Sequence, residues 1–296
     1  MSSSSSHSET CQAWVDGVPG EYGYKPSLAA GIVLSSIFGL SMAVHIIQAC
    51  WKRAWWTNLF AIGALVELLG WAGRTWSAVC PYNKDAFLMQ ISTLIIAPTF
   101  ITAGIYVILG RFIEFAGVKS LLTPKQYLWV FCTCDVISLL VQAVGGGMAS
   151  VAVSETNGDT KPGTNIMVTG IIFQMFSITV FVACAADFLR RLVRQNLLHL
   201  LTKEMRWLLI ATTASVVLIY IRSIYRTIEL LQGWTGYLIT HEAYFVALDG
   251  GMIAPAVMVF NIIHPSSSFT HGRPEKPEKG GELRNSMMEG PYIEMR

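Results

Sequence analysis

Seven apolar stretches, each long enough to cross a bilayer, occupy most of this 296-residue chain. A hydrocarbon core about 30 Å thick needs roughly 20 apolar residues of helix. The runs fall at residues 27–49, 55–79, 86–109, 126–149, 165–189, 206–225 and 242–263. In lipid the backbone must satisfy its own hydrogen bonds, so these segments read as helices and not as strands. The expected fold is an all-α membrane protein of seven transmembrane helices. With 53% hydrophobic and 14% charged residues, the chain fits one polytopic domain better than two soluble ones. That domain is placed at residues 26–265, between a disordered tail at 1–25 and a second at 266–296.

The placement of basic residues sets the expected orientation. With the amino terminus outside, the inner connections hold Lys52, Arg53, Arg111, Lys119, Lys125, Arg190, Arg191, Arg194, Lys203 and Arg206, and the carboxyl tail adds more. The outer segments hold only Lys25, Lys84, Lys161 and Arg226. By the positive-inside rule the amino terminus is extracellular and the carboxyl tail cytosolic. The Ser-rich start has no apolar core of a cleavable leader, so the first helix is expected to target the chain. The basic stretch 190–206 suits anionic lipid headgroups or a cytosolic partner. Cys11 and Cys80 both fall on the outer, oxidising side; a disulfide between them and two unpaired thiols are both open readings.

Polar residues inside the membrane carry the functional signal, because ions at depth are expensive to keep. Helix two carries Glu67 and Arg74, seven apart on one face. Helix four carries Asp135, Ser138 and Gln142, running into Gly145-Gly146-Gly147, which is expected to close it. Helix six carries Arg222, Arg226 and Glu229, and helix seven Glu242 and Asp249. At 1.5 Å per residue, Glu67, Asp135 and Asp249 fall near the middle and the others in the outer half. Such residues serve either as glue between helices or as the lining of a polar cavity, expected here among helices two, four, six and seven. Pro98 in helix three is expected to kink it. No phosphate-binding G-x-x-x-x-G-K-[ST] loop occurs, and the six histidines form no H-x-x-x-H pair. Neither an enzyme nor a cofactor, metal or nucleic-acid partner is expected.

Read in order, these polar and glycine positions resemble one family. The stretch Ile221-Arg222-Ser223-Ile224-Tyr225-Arg226-Thr227-Ile228-Glu229, with Gly233, Gly236-Tyr237-Leu238, His241-Glu242, Tyr244, Asp249, Phe260-Asn261 and His264-Pro265, resembles the fungal lipid-translocating exporter family, also called the aminocholesterol-resistance family. Tyr24-Lys25-Pro26-Ser27, Glu67 with Gly70 and Gly73-Arg74, Ala97-Pro98 with Tyr106, and Asp135-Val136 with Ser138 and Gln142 are similar to its other helices. The resemblance implies a multi-pass plasma-membrane protein that exports or flips amphipathic lipids such as sphingoid bases or sterol amines, or related toxins, and confers resistance. The alternative is a seven-helix receptor or sensor that regulates lipid asymmetry. In the transporter reading Asp135 and Asp249 bind the substrate amine or a proton. Arg74 and Arg222 balance the acids or hold a substrate anion, and Glu67 and Gln142 complete the network.

Overall fold

The computed structural model describes residues 11–270 apart from 13, 16–19, 21, 118–119, 155–158 and 234–235. Residues 1–10 and 271–296, which hold part of the first expected tail and most of the second, lie outside the described residues. The architecture is all-helical, with no strand among the described residues. The long helices are α1 (Leu28–Trp51), α2 (Asn58–Val79), α3 (Lys84–Ala116), α4 (Pro124–Ser154), α5 (Lys161–Arg194) and α6 (Lys203–Leu231). Then come α7 (Glu242–Phe245), a π turn (Val246–Gly250) and α8 (Gly251–Ile262), which run on as one rod, and the short α9 (Pro265–Thr270). Local chemistry sets most ends. Ser27, Asn83 and Thr202 accept backbone N–H bonds as N-caps of α1, α3 and α6. Gly117 and Gly233 stop α3 and α6 at positive φ of 61° and 74°.

Among the described residues six helices are long and apolar enough to cross a membrane: α1, α3, α4, α5, α6 and the rod Glu242–Ile262. The 22-residue α2 falls outside that set because Glu67 and Arg74 lower its hydropathy. It packs between α1 and α3 nonetheless. Neighbours in sequence are neighbours in space from α1 through α6, and α8 closes the bundle between α6 and α1. The seam between α1 and α8 is polar. Asn261 donates to Ser41 Oγ at 2.7 Å, and Gln48 donates to the Asn261 carbonyl at 2.8 Å. At the end of the bundle where α8 finishes, α9 covers α3 and α6: Phe269 meets Phe112 edge-on, ring centroids 5.2 Å apart.

Three features differ from the sequence reading. The triple glycine does not close helix four, which continues to Ser154. A Cβ on Gly145 would fall on the Met167 backbone nitrogen, and one on Gly163 would lie 2.7 Å from the Gly145 carbonyl oxygen. The glycines are there so that α4 and α5 can touch backbone to backbone, the small-residue packing of membrane helices. The second difference is at the outer tail, where Tyr22 is buried against the bundle and not part of a free segment. The third is at the inner tail, where residues 265–270 are helical.

Candidate functional site

The polar residues gather in three places. At the end of the bundle where the chain enters α1, Arg74 of α2 is fully surrounded. Its Nη2 donates to Tyr24 Oη and to Glu242 Oε1, each at 2.8 Å, and Glu242 Oε1 also accepts the Ser27 backbone N–H at 2.8 Å. Tyr22 donates to Gln90 Oε1 at 2.6 Å, and the Phe245 ring lies 4.5 Å from the guanidinium carbon of Arg74. One buried cation thus ties the chain entry, α2, α3 and α7 together. Burial raises the Tyr24 phenol above its ordinary value, against the lowering pull of Arg74, so it remains protonated. Cys11 and Cys80, Cα atoms 4.9 Å apart, are joined as a disulfide that pins the amino-terminal segment to this end.

One layer deeper lies an ion cluster. Asp249 Oδ1 pairs with Arg222 Nε at 2.8 Å and Arg226 Nε at 3.1 Å, and Arg226 Nη1 donates to Glu229 Oε2 at 2.8 Å. Tyr225 donates to the other Glu229 oxygen at 2.9 Å. Phe245 sits between the two layers, 5.3 Å from the Arg226 guanidinium as well. Asp249 lies on the π turn. An i→i+5 turn of this kind widens a helix locally and re-aims its side chains. Arg222 has a second task. Pro98 has no N–H for the carbonyl four residues back, that of Leu94, and the Arg222 guanidinium donates to that oxygen instead. Glu67 belongs to this layer, 1% exposed, within the fields of Asp249, Arg222 and Arg226.

The third place is a cavity of about 40 Å³. Its walls come from α3 (Pro98, Thr102, Tyr106), α4 (Asp135, Gln142), α5 (Gln174, Met175, Ile178) and α6 (Ile219, Arg222, Arg226). This corrects the expected lining: helices four and six contribute, two and seven do not. Glu67 and Asp249 do not line it, whereas Arg222 and Arg226, the two partners of Asp249, do. Asp135 accepts from Tyr106 Oη at 2.9 Å and Thr102 Oγ1 at 3.4 Å, and among the described residues no basic side chain pairs with it. Gln142 donates to Gln174 Oε1 at 3.1 Å across the α4–α5 seam. An adjoining apolar pocket shares Thr102, Ile178 and Ile219 and adds Ile105, Phe181 and Val216. A carboxyl with hydroxyl neighbours at one end and aliphatic walls at the other suits a cation on an apolar body.

The structure therefore brings Arg222, Arg226, Glu229, Asp249 and Glu67 together, places Arg74 with Glu242 above them, and sets Asp135 with Gln142 apart in the cavity. Tyr22, Tyr24, Gln90, Thr102 and Phe245 were not singled out from sequence as site residues. Their signal was weak, since tyrosines near a membrane surface and lone hydroxyls in a helix are common. Asp187 pairs with Arg191, one turn on along α5, at 2.7 Å.

The family model described as RTA1 like protein matches residues 60–272. The chain is 34% identical over 282 residues to the sphingoid long-chain base transporter RSB1 of Saccharomyces cerevisiae, covering 83% of this chain and 74% of that one. It is 30% identical over 207 residues to protoporphyrin uptake protein 1 of the same yeast, covering 69% and 66%. It is 26% identical over 272 residues to the yeast protein RTA1, covering 82% and 84%. No solved structure matches. Six apolar spanning helices and these matches make the chain a multi-pass membrane protein, and it belongs to the RTA1-like family, the fungal lipid-translocating exporters that its motifs resemble.

Proposed function

We propose that this protein translocates amphipathic amines, sphingoid long-chain bases among them, across the plasma membrane, and that Asp135 holds the amine. The observation that carries the reading is the buried Asp135 carboxyl, which no basic side chain pairs with among the described residues. It lies next to an apolar pocket, in a cavity whose two arginines, Arg222 and Arg226, are already engaged by Asp249 and Glu229. The relative named as a sphingoid long-chain base transporter supports the substrate class. The amine would form a charge-assisted hydrogen bond with Asp135 while the alkyl chain stays among Ile105, Ile178 and Phe181. The cavity is small, so the headgroup alone enters and the tail remains between helices or in lipid. The reading includes α2 as a seventh crossing, with the amino terminus outside and the carboxyl tail cytosolic. Glu67 and Arg74 are tolerated in that helix because both are buried against protein.

The test is translocation of a labelled sphingoid base and a labelled phospholipid in liposomes holding only the purified protein, wild type beside Asp135→Asn. A charge-assisted hydrogen bond contributes about 1.5–3 kcal/mol, so Asp135→Asn is expected to weaken amine handling by roughly 10–150-fold. Equal rates in the two proteins would dismiss Asp135 as the amine site. A folded wild type that moves neither lipid would favour the receptor reading. Orientation is tested separately in cells: Lys25→Cys is expected to react with a membrane-impermeant thiol reagent from outside, and Arg53→Cys only after permeabilisation.

A further inference from the structure

Among the described groups, Glu67 is the one buried carboxyl with no partner for either oxygen. It is 1% exposed, and neither Oε1 nor Oε2 has a hydrogen-bond partner. The Trp71 indole N–H, one turn on, faces the same carboxyl without completing a bond of ordinary geometry. The charged groups acting on Glu67 are Asp249 from the π turn and Arg222 and Arg226 from α6. Across α1, the ionisable His45 packs on Phe60, about two turns further toward the inner end. Both arginines are already engaged, Arg222 with Asp249 and Arg226 with Asp249 and Glu229. The cluster holds two guanidinium cations against the carboxyls of Asp249, Glu229 and Glu67, so it is electrically neutral only when one carboxyl carries a proton. Asp249 and Glu229 have cations at ion-pair distance and Glu67 has none. An ionised carboxylate with no hydrogen bond, fully out of water, is penalised by several kcal/mol, so the proton belongs on Glu67.

The same two arginines form one wall of the cavity. A cation placed there meets their positive field from one side, and the Glu67 proton meets it from the other. The two positive charges therefore compete. Arg226 Nη2 is a buried donor without a partner, available to the Glu67 carboxylate once the proton has gone. We propose, building on the translocator reading, that Glu67 is a proton site coupled to the cavity. It holds one proton while the cavity is empty and yields it to water as a cationic amine enters from the cytosolic side. After the amine leaves on the other side, Glu67 takes a proton from there, so amine and proton move in opposite directions. No bond other than O–H is made or broken. By linkage, each ligand weakens the other by the same factor.

The experiment uses the full chain in proteoliposomes with a labelled sphingoid base, an imposed pH difference and a lumenal pH dye, with protein-free vesicles defining the passive distribution of the amine. One-for-one exchange and passive diffusion of the neutral amine share one limit, about tenfold per unit of pH difference, so wild type is expected to approach it faster than protein-free vesicles, with proton flow accelerated to match. Glu67→Gln, a neutral isostere, is expected to lose both. Unchanged coupling in Glu67→Gln overturns the proposal. If that variant moves no amine at all, infrared spectroscopy of the purified proteins decides. A carboxylic-acid C=O band present in wild type at neutral pH and missing in Glu67→Gln supports the proton site, and the same band in both refutes it. Wild type that moves no amine removes the translocator reading and the coupling with it. The band then reports by itself whether Glu67 holds the proton.

Discussion

Pro98 leaves the Leu94 carbonyl without its helical donor, and Arg222, from a helix more than a hundred residues later, supplies one. Arg222→Leu would strip Asp249 of one cation and leave that carbonyl bare. Breaking a buried pair costs about 3–5 kcal/mol. Adding Pro98→Ala to Arg222→Leu restores a backbone N–H for Leu94, and recovery of about 1 kcal/mol is expected. A double-mutant cycle on thermal unfolding in detergent checks this, and strict additivity would argue against the shared carbonyl. His264 gives a pH prediction. Its Nδ1 accepts the Ser266 backbone N–H at 3.2 Å, so the neutral ring carries its proton on Nε2. Burial, with Lys52 nearby, lowers this histidine from 6.5 to about 4. Between those values the unfolded chain binds more protons than the folded one. Stability is therefore complete above pH 6.5 and declines as pH falls toward 4. His264→Gln should flatten the thermal stability profile over that range; an unchanged slope would assign it to other groups.

At the scale of elements, α4 and α5 show how close approach depends on what is missing from the side chains. Gly145 and Gly163 face one another's backbones, and a Cβ on Gly170 would lie 2.8 Å from Gln142 Cγ. Gly145→Val must push the helices apart. Overpacking of this kind costs about 1–3 kcal/mol, and it would also separate Gln142 from Gln174, which bridge the same seam beside the cavity. Lower melting temperature together with impaired amine translocation is expected, whereas Gly147→Ala, which has nothing within 4 Å of its Cβ position, should be silent. The π turn is the other decisive element. It carries Asp249 to the arginines and brings Gly250 against Trp71, where a Cβ would meet the indole at 2.5 Å.

In the whole molecule, a covalent tie and a buried cation hold together the end of the bundle where the chain enters α1. The disulfide joins residues 69 apart in sequence. Closing a loop of that length contributes about 2–4 kcal/mol by restricting the unfolded chain. Cys80→Ser is expected to lower the melting temperature and to expose Cys11 to thiol reagents, which mass spectrometry of the labelled protein reads directly. Arg74→Gln should loosen the same end by a different route, freeing Tyr24 and Glu242 at once. If the two substitutions destabilise additively, the tether and the cation act independently; coupling would mean that one positions the other.

The amino-acid sequence by itself determined the helical fold class, because apolar runs of bilayer length admit no other backbone. It also determined which residues had to find partners, since Glu67, Arg74, Asp135, Arg222, Arg226 and Asp249 interrupt those runs. Helix-end residues such as Ser27, Asn83, Gly117 and Gly233 were legible too, being local chemistry. Partner choice was not legible. Spacing of seven places Glu67 and Arg74 on one face, yet one serves the ion cluster and the other the outer layer, separated by about 10 Å along α2. That helices three and five line the cavity, that Gly145 serves close packing and ends no helix, and that Arg222 answers Pro98 all depend on contacts between segments far apart in the chain. Periodicity reports the face a residue occupies. Only tertiary packing decides what that face meets, because the depth, tilt and rotation of each helix follow from its neighbours' side chains and not from its own.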